Sequence, residues 1–106
     1  MGAVRSLDGR PNMASRWRRR RMCVLVADRP APAALREVSA SGAYLETHAR
    51  PPVGARVELR HPEAGSISGE VRSVGEDGIA LAFAYGEASV AFALAAIAAD
   101  MSRPSR

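Results

Sequence analysis

The chain contains no lysine: all fifteen of its basic residues are arginine. A guanidinium presents a planar fork of donors that grips a phosphate or a guanine edge through two bonds, whereas an ammonium is a point charge. Codon bias in a GC-rich genome accounts for the missing lysine and for the abundant Ala, Gly and Pro. It does not account for five arginines crowded into residues 16–21. Cysteine is nearly absent as well. The single Cys23 excludes an internal disulfide and fits a reducing compartment. It lies in an apolar run, where it reads as a small core residue; a catalytic thiol would need a neighbouring His that the sequence does not supply. Aromatics make up only 5% of the chain, so an interior has to be built mainly from Val, Leu, Ile and Ala. No apolar run approaches the length of a membrane-spanning helix. Met22 to Ala27 follows a basic block, but six residues are too few for the hydrophobic region of a secretion signal. The expected location is therefore the cytoplasm.

Metal ligands and catalytic pairings are also wanting. His48 and His61 lie in turn-rich stretches with no Cys or acidic partner at ligand spacing. No nucleophile–base pair and no carboxylate pair stands out, so the sequence suggests neither a metal centre nor an enzyme.

What the sequence does hold is 47% apolar residues in 106, enough for one compact domain. Residues 1–15 are polar and punctuated by Gly and Pro, and read as a flexible lead-in in which Met13 is a second candidate start. The folded domain is expected over 16–101, with a flexible tail over 102–106. From Met22 the grammar becomes short β segments between turn signals. Strands are expected over Met22 to Ala27, Ala34 to Val38, Ala43 to Thr47, Arg56 to Arg60, Ile67 to Val74 and Ile79 to Phe83. Inward residues alternate through Ala43, Leu45 and Thr47, through Val57 and Leu59, and through Ile67, Gly69, Val71 and Ser73. Asp28 to Pro32 is read as a turn. Such spacing, without helices between the strands, predicts a small antiparallel barrel or sandwich. After Gly86, the positions Val90, Leu94, Ile97 and Met101 recur at helical spacing in an Ala-rich background. They predict a C-terminal helix that lays this stripe on the β structure.

Two polar features attract attention. Arg16-Trp17-Arg18-Arg19-Arg20 is an Arg-x-x-x-Arg element just before the first strand. Glu37-Val-Ser39-Ala-Ser-Gly42 is a polar-x-Ser-x-x-Gly turn between the second and third. Taken singly, a charge run is a solvated segment and Ser-x-x-Gly an ordinary turn. Their order, followed by Gly54-Ala-Arg-Val-Glu-Leu and Asp77-Gly-Ile-Ala-Leu-Ala-Phe83, resembles the PilZ domain family over roughly residues 16–100. That resemblance implies a mainly β fold, a six-stranded antiparallel β-barrel with a C-terminal α-helix. It also implies a bacterial receptor for the second messenger cyclic di-GMP, with no cofactor beyond that ligand. Arg16 and Arg20 match the first half of the family signature, Ser39 and Gly42 the second. Glu37 departs from it, standing where the family has Asp or Asn and carrying its carboxylate one methylene farther out.

The chemistry of these residue types suits such a ligand. An Arg fork matches the O6/N7 acceptor pair of guanine, and a carboxylate at position 37 accepts from the guanine N–H donors. Ser39 offers a hydroxyl, and Gly42 is expected to permit a turn that frees backbone amides. Arg18, Arg19 and Arg21 are candidate phosphate contacts, and Trp17 a candidate cover for ligand or barrel rim. The leading functional expectation is a receptor that relays the messenger's concentration to an unknown partner protein. A PilZ-like protein–protein adaptor without nucleotide stands second, and a small basic barrel binding RNA or DNA third. The mixed charges along the strands, with only Trp17 accompanying the Arg cluster, argue against the third.

Overall fold

The computed structural model describes residues 21–101; the expectations for 1–20 and 102–106 lie outside the described residues. Six strands close into an antiparallel barrel: β1 (Met22–Val26), β2 (Pro30–Ser39), β3 (Gly42–Glu46), β4 (Arg56–His61), β5 (Gly65–Val74) and β6 (Ile79–Ala82). Around the barrel the order is β1-β2-β3-β6-β5-β4, with β4 returning to pair with β1. One helix, α1 (Glu87–Met101), follows. The fold is therefore mainly β, a barrel rather than a sandwich.

Alternation builds the core. Cys23 and Leu25 from β1, Ala43 and Leu45 from β3, Val57 and Leu59 from β4, and Ile79 and Leu81 from β6 all point inward and are buried. Apart from Cys23 they are small or branched aliphatics, as the scarcity of aromatics required. The two Phe side chains meet at one mouth of the barrel. Phe83 lies edge-on to Phe92 of α1 at 5.8 Å, and Phe92 lies edge-on to His61 at 6.0 Å. Antiparallel connectivity gathers the β2–β3 and β4–β5 turns at this same mouth, and α1 packs across it against β2 and β5.

Three sequence expectations need correction. The second strand is twice the length expected and runs through Pro30 and Pro32, residues taken for a turn. Both prolines sit where β2 has only β1 beside it, since pairing with β3 starts at Ala34↔Glu46. A missing N–H is therefore tolerated there, and Thr47 Oγ1 donates to the free Pro32 carbonyl at 2.8 Å. In β5 the register shifts between Val71 and Ser73, so a bulge breaks the alternation. Ser73 is exposed, and Val74 packs on the core instead. In α1 the buried residues are Ser89, Phe92, Ala93 and Ala96, not the stripe of Val90, Leu94, Ile97 and Met101. Leu94 and Met101 are 63% and 77% exposed. A helix apolar nearly all round has no single face marked by periodicity. The barrel mouth took the face that pairs one large ring with small alanines, which lets the helix approach closely.

The start of α1 is tied down by Ser89. Its hydroxyl accepts from the Gly86 N–H at 3.0 Å and donates to the Gly86 carbonyl at 3.1 Å, while Glu87 adds negative charge to the first turn.

Candidate functional site

The β2–β3 turn is held from both sides. The Ser41 N–H donates to Ser39 Oγ at 3.2 Å, and the two hydroxyl oxygens lie 3.0 Å apart. Phe83 N–H donates to the Ser41 carbonyl at 2.9 Å, fastening the turn to the chain after β6. Both serines remain exposed and able to exchange partners. Glu37, Ser39, Ser41, Gly42 and Tyr44 line one shallow groove that continues onto Ala80 of β6.

Gly42 has a different role from the one expected. It is paired in the ladder with Ser39 and Ala82, outside the positive-φ region. A Cβ at this position would overlap the Leu81 carbonyl oxygen. The glycine is required by the close approach of β3 to β6, and turn geometry does not demand it.

Glu37 owes its setting to a bulge. Leu35 pairs with Leu45 and Glu37 with Tyr44, which leaves Arg36 as the extra residue. Arg36 forms an ion pair with Glu46 at 3.1 Å and lies 5.7 Å from the centre of the Tyr44 ring. Its charge is thus partly compensated beside the groove. No sequence signal marked Arg36, because a bulge arises from the pairing of two strands and is not written in either one.

Of the basic block, Arg21 is described; Arg16, Trp17, Arg18, Arg19 and Arg20 lie outside the described residues. The Arg21 carbonyl accepts from Leu35 N–H at 3.0 Å, extending the β1–β2 ladder by one residue. Its guanidinium donates to the Ala99 carbonyl near the end of α1 at 3.3 Å, and Nε lies 3.4 Å from Glu63 Oε1. The latter contact is electrostatic, without hydrogen-bond geometry. Arg21 therefore clasps helix, β4–β5 turn and β2 together. Arg21 and Glu37 also border the same cavity, of about 230 Å³, whose other walls include Val38, His61, Ile97 and Asp100. Arg21 and Glu37, the latter two residues before Ser39, consequently share one mouth of the barrel.

His61 was not anticipated there. It ends β4, is 5% exposed, and its Nδ1 accepts from the N–H groups of Glu63 and Ala64, each at 3.0 Å. With Nδ1 acting as acceptor, the neutral ring carries its proton on Nε2, which is buried without a hydrogen-bond partner among the described residues. Burial pulls the imidazole below its ordinary pKa, opposed by the Glu63 and Asp100 carboxylates and assisted by Arg21. Cys23 is 1% exposed, and burial pushes its thiol up to about 11, against the pull of Arg21, so the thiolate is scarce at neutral pH.

Among the described residues no group of three or more His, Cys, Asp or Glu side chains is placed to hold a metal ion, and no helix is long and apolar enough to cross a membrane. Comparison with family models, with curated proteins and with solved structures finds no match to this chain.

Proposed function

We propose that this chain is a PilZ-like receptor for cyclic di-GMP that signals to a partner protein. One observation supports the reading: in a six-stranded barrel with a C-terminal helix, Arg21, the residue after the Arg-x-x-x-Arg element, and Glu37, two residues before Ser39, border one cavity. In this reading Arg16 and Arg20 grip guanine edges and phosphates, with Arg18 and Arg19 adding phosphate contacts. The Glu37 carboxylate, exposed at the bulge, accepts from guanine N–H donors. Ser39 and Ser41 offer hydroxyls that, among the described residues, satisfy only each other and one local amide. Arg21 serves the helix and Glu63, and in this reading it anchors the segment. Closure of the arginine segment onto the turn would change the surface at the end of α1, which is how the signal would leave the domain.

Calorimetric titration with cyclic di-GMP tests this. The wild type is expected to bind saturably at micromolar affinity or better, with GMP failing to compete, and Arg20→Ala is expected to lose binding. A flat wild-type titration would refute the nucleotide reading. Restoration by Glu37→Asp would then mark a nucleotide site that has drifted toward the adaptor role. Binding of a short RNA with affinity falling steeply in salt would favour the third reading.

A further inference from the structure

The mouth of the barrel away from α1 is bordered by the β1–β2 turn and the long β3–β4 connection, and a groove of about 610 Å³ lies between them. Its positive charges are uncompensated. Among the described residues, Arg21, Arg36 and Arg60 each have a glutamate partner, whereas Arg29, Arg56 and Arg72 have no carboxylate within ion-pair distance. Two of those three, Arg29 and Arg56, line this groove. Arg56 stands across from Glu70 in the β4–β5 register and still forms no ion pair with it. Most of the remaining lining is proline and alanine. The connection itself is held in shape. The Arg50 guanidinium donates to the Thr47 and Ala49 carbonyls at 2.8 Å each and to the Glu76 carbonyl at 2.9 Å, which ties it to the β5–β6 turn. Gly54 N–H donates to the Val71 carbonyl at 2.7 Å, and Ala55 N–H to the Pro52 carbonyl at 3.0 Å. A site built on so fixed a loop loses little entropy when it takes a ligand.

We propose that this groove binds a phosphate monoester with a flat apolar body. Its volume falls within the roughly 300–1,000 Å³ of small-molecule sites, and it shares their pattern of an apolar lining with a few placed charges. Arg29, Arg50 and Arg56 face a single lining carboxylate, Asp28, so with His48 neutral two positive charges are left over. A phosphate monoester carries about two negative charges at pH 7.5, a carboxylate only one. Arg29 comes from the β1–β2 turn and Arg56 from the start of β4, so two separate elements each offer the anion a donor fork. Proline and alanine surfaces suit a planar ring, on which a guanidinium can also stack. An inorganic phosphate ion has nothing to place against that lining. The proposal does not depend on the nucleotide reading, whose site lies at the other mouth.

Amide chemical-shift titration of the full chain tests it, with phenyl phosphate as the probe. Saturable shifts are expected at Arg29, Ala31, Ala49, Arg50 and Arg56, which line the groove. Inorganic phosphate and benzoate are each expected to bind about tenfold more weakly or worse, the first lacking the apolar body and the second one charge. Arg29→Gln and Arg56→Gln should each weaken phenyl phosphate about tenfold, the loss of one charge-assisted contact. Both side chains are exposed, so the rest of the spectrum should stay in place. Arg60→Gln, on the same strand as Arg56 but outside the groove, should leave the affinity unchanged. Shifts that do not saturate, or that arise only at the Glu37–Gly42 turn, overturn the proposal. So does an affinity unmoved when Arg29→Gln and Arg56→Gln are combined, or inorganic phosphate or benzoate binding as tightly as phenyl phosphate.

Discussion

Gly42 and His61 are set by opposite kinds of constraint, one steric and one electrostatic. At Gly42 the obstruction facing any added Cβ is a backbone carbonyl of β6, which cannot rotate aside as a side chain would. Gly42→Ala should therefore cost at the upper end of the overpacking range, about 3 kcal/mol, read as a lowered urea midpoint at constant slope. At His61 two backbone amides point at Nδ1, so a proton there would face two donors. Because burial lowers its folded-state pKa, the unfolded chain binds that proton more readily. Stability should be level above the unfolded value of about 6.5 and fall as the pH drops below it. His61→Asn keeps an acceptor for the two amides and does not titrate; its urea midpoint should be nearly flat where that of the wild type slopes.

Within single elements, α1 has the plainest division of labour. Phe92 fills the barrel mouth against Phe83 and His61, so Phe92→Ala should cost about 3–5 kcal/mol. Leu94→Ala, measured at low micromolar concentration, should stay within about 0.5 kcal/mol of wild type, because that side chain is 63% exposed. The reverse ranking would return the stripe to the core. In β2, the Thr47 hydroxyl donates to the Pro32 carbonyl and accepts from the Ala49 N–H, replacing the ladder partner that β3 does not provide. Thr47→Val leaves both groups unpaired in a part-buried setting and should cost about 1–3 kcal/mol, visible in thermal unfolding.

For the whole molecule, the six described strands close into a barrel, and the helix covers one mouth. Ligand gathered at that mouth, by the arginine segment and the β2–β3 turn together, would bind the folded chain only. Cyclic di-GMP at 100 times its dissociation constant should then stabilise the fold by about 2.7 kcal/mol, raising the melting temperature. The Arg20→Ala variant should melt at the same temperature with and without the nucleotide. A shift of equal size in that variant would place the ligand elsewhere on the surface.

The sequence by itself determined the number and rough positions of the strands, the helix after Gly86 and the inward set through Leu45, Leu59 and Leu81. Each of those follows from a local period that a two-sided surface imposes. It also determined that arginines precede the first strand and that a Ser-x-x-Gly turn follows the second. Only the tertiary structure decided that Pro30 and Pro32 lie in a strand, because their tolerance depends on where β3 stops. It alone decided the bulges at Arg36 and Arg72 that turn Glu37 and Ser73, since a register shift belongs to a pair of strands. The face α1 buries was decided there too. That helix is apolar nearly all round, and the choice fell to the shape of the barrel mouth: a ring-sized opening lined by Phe83 and His61 that admits Phe92 and leaves Leu94 outside.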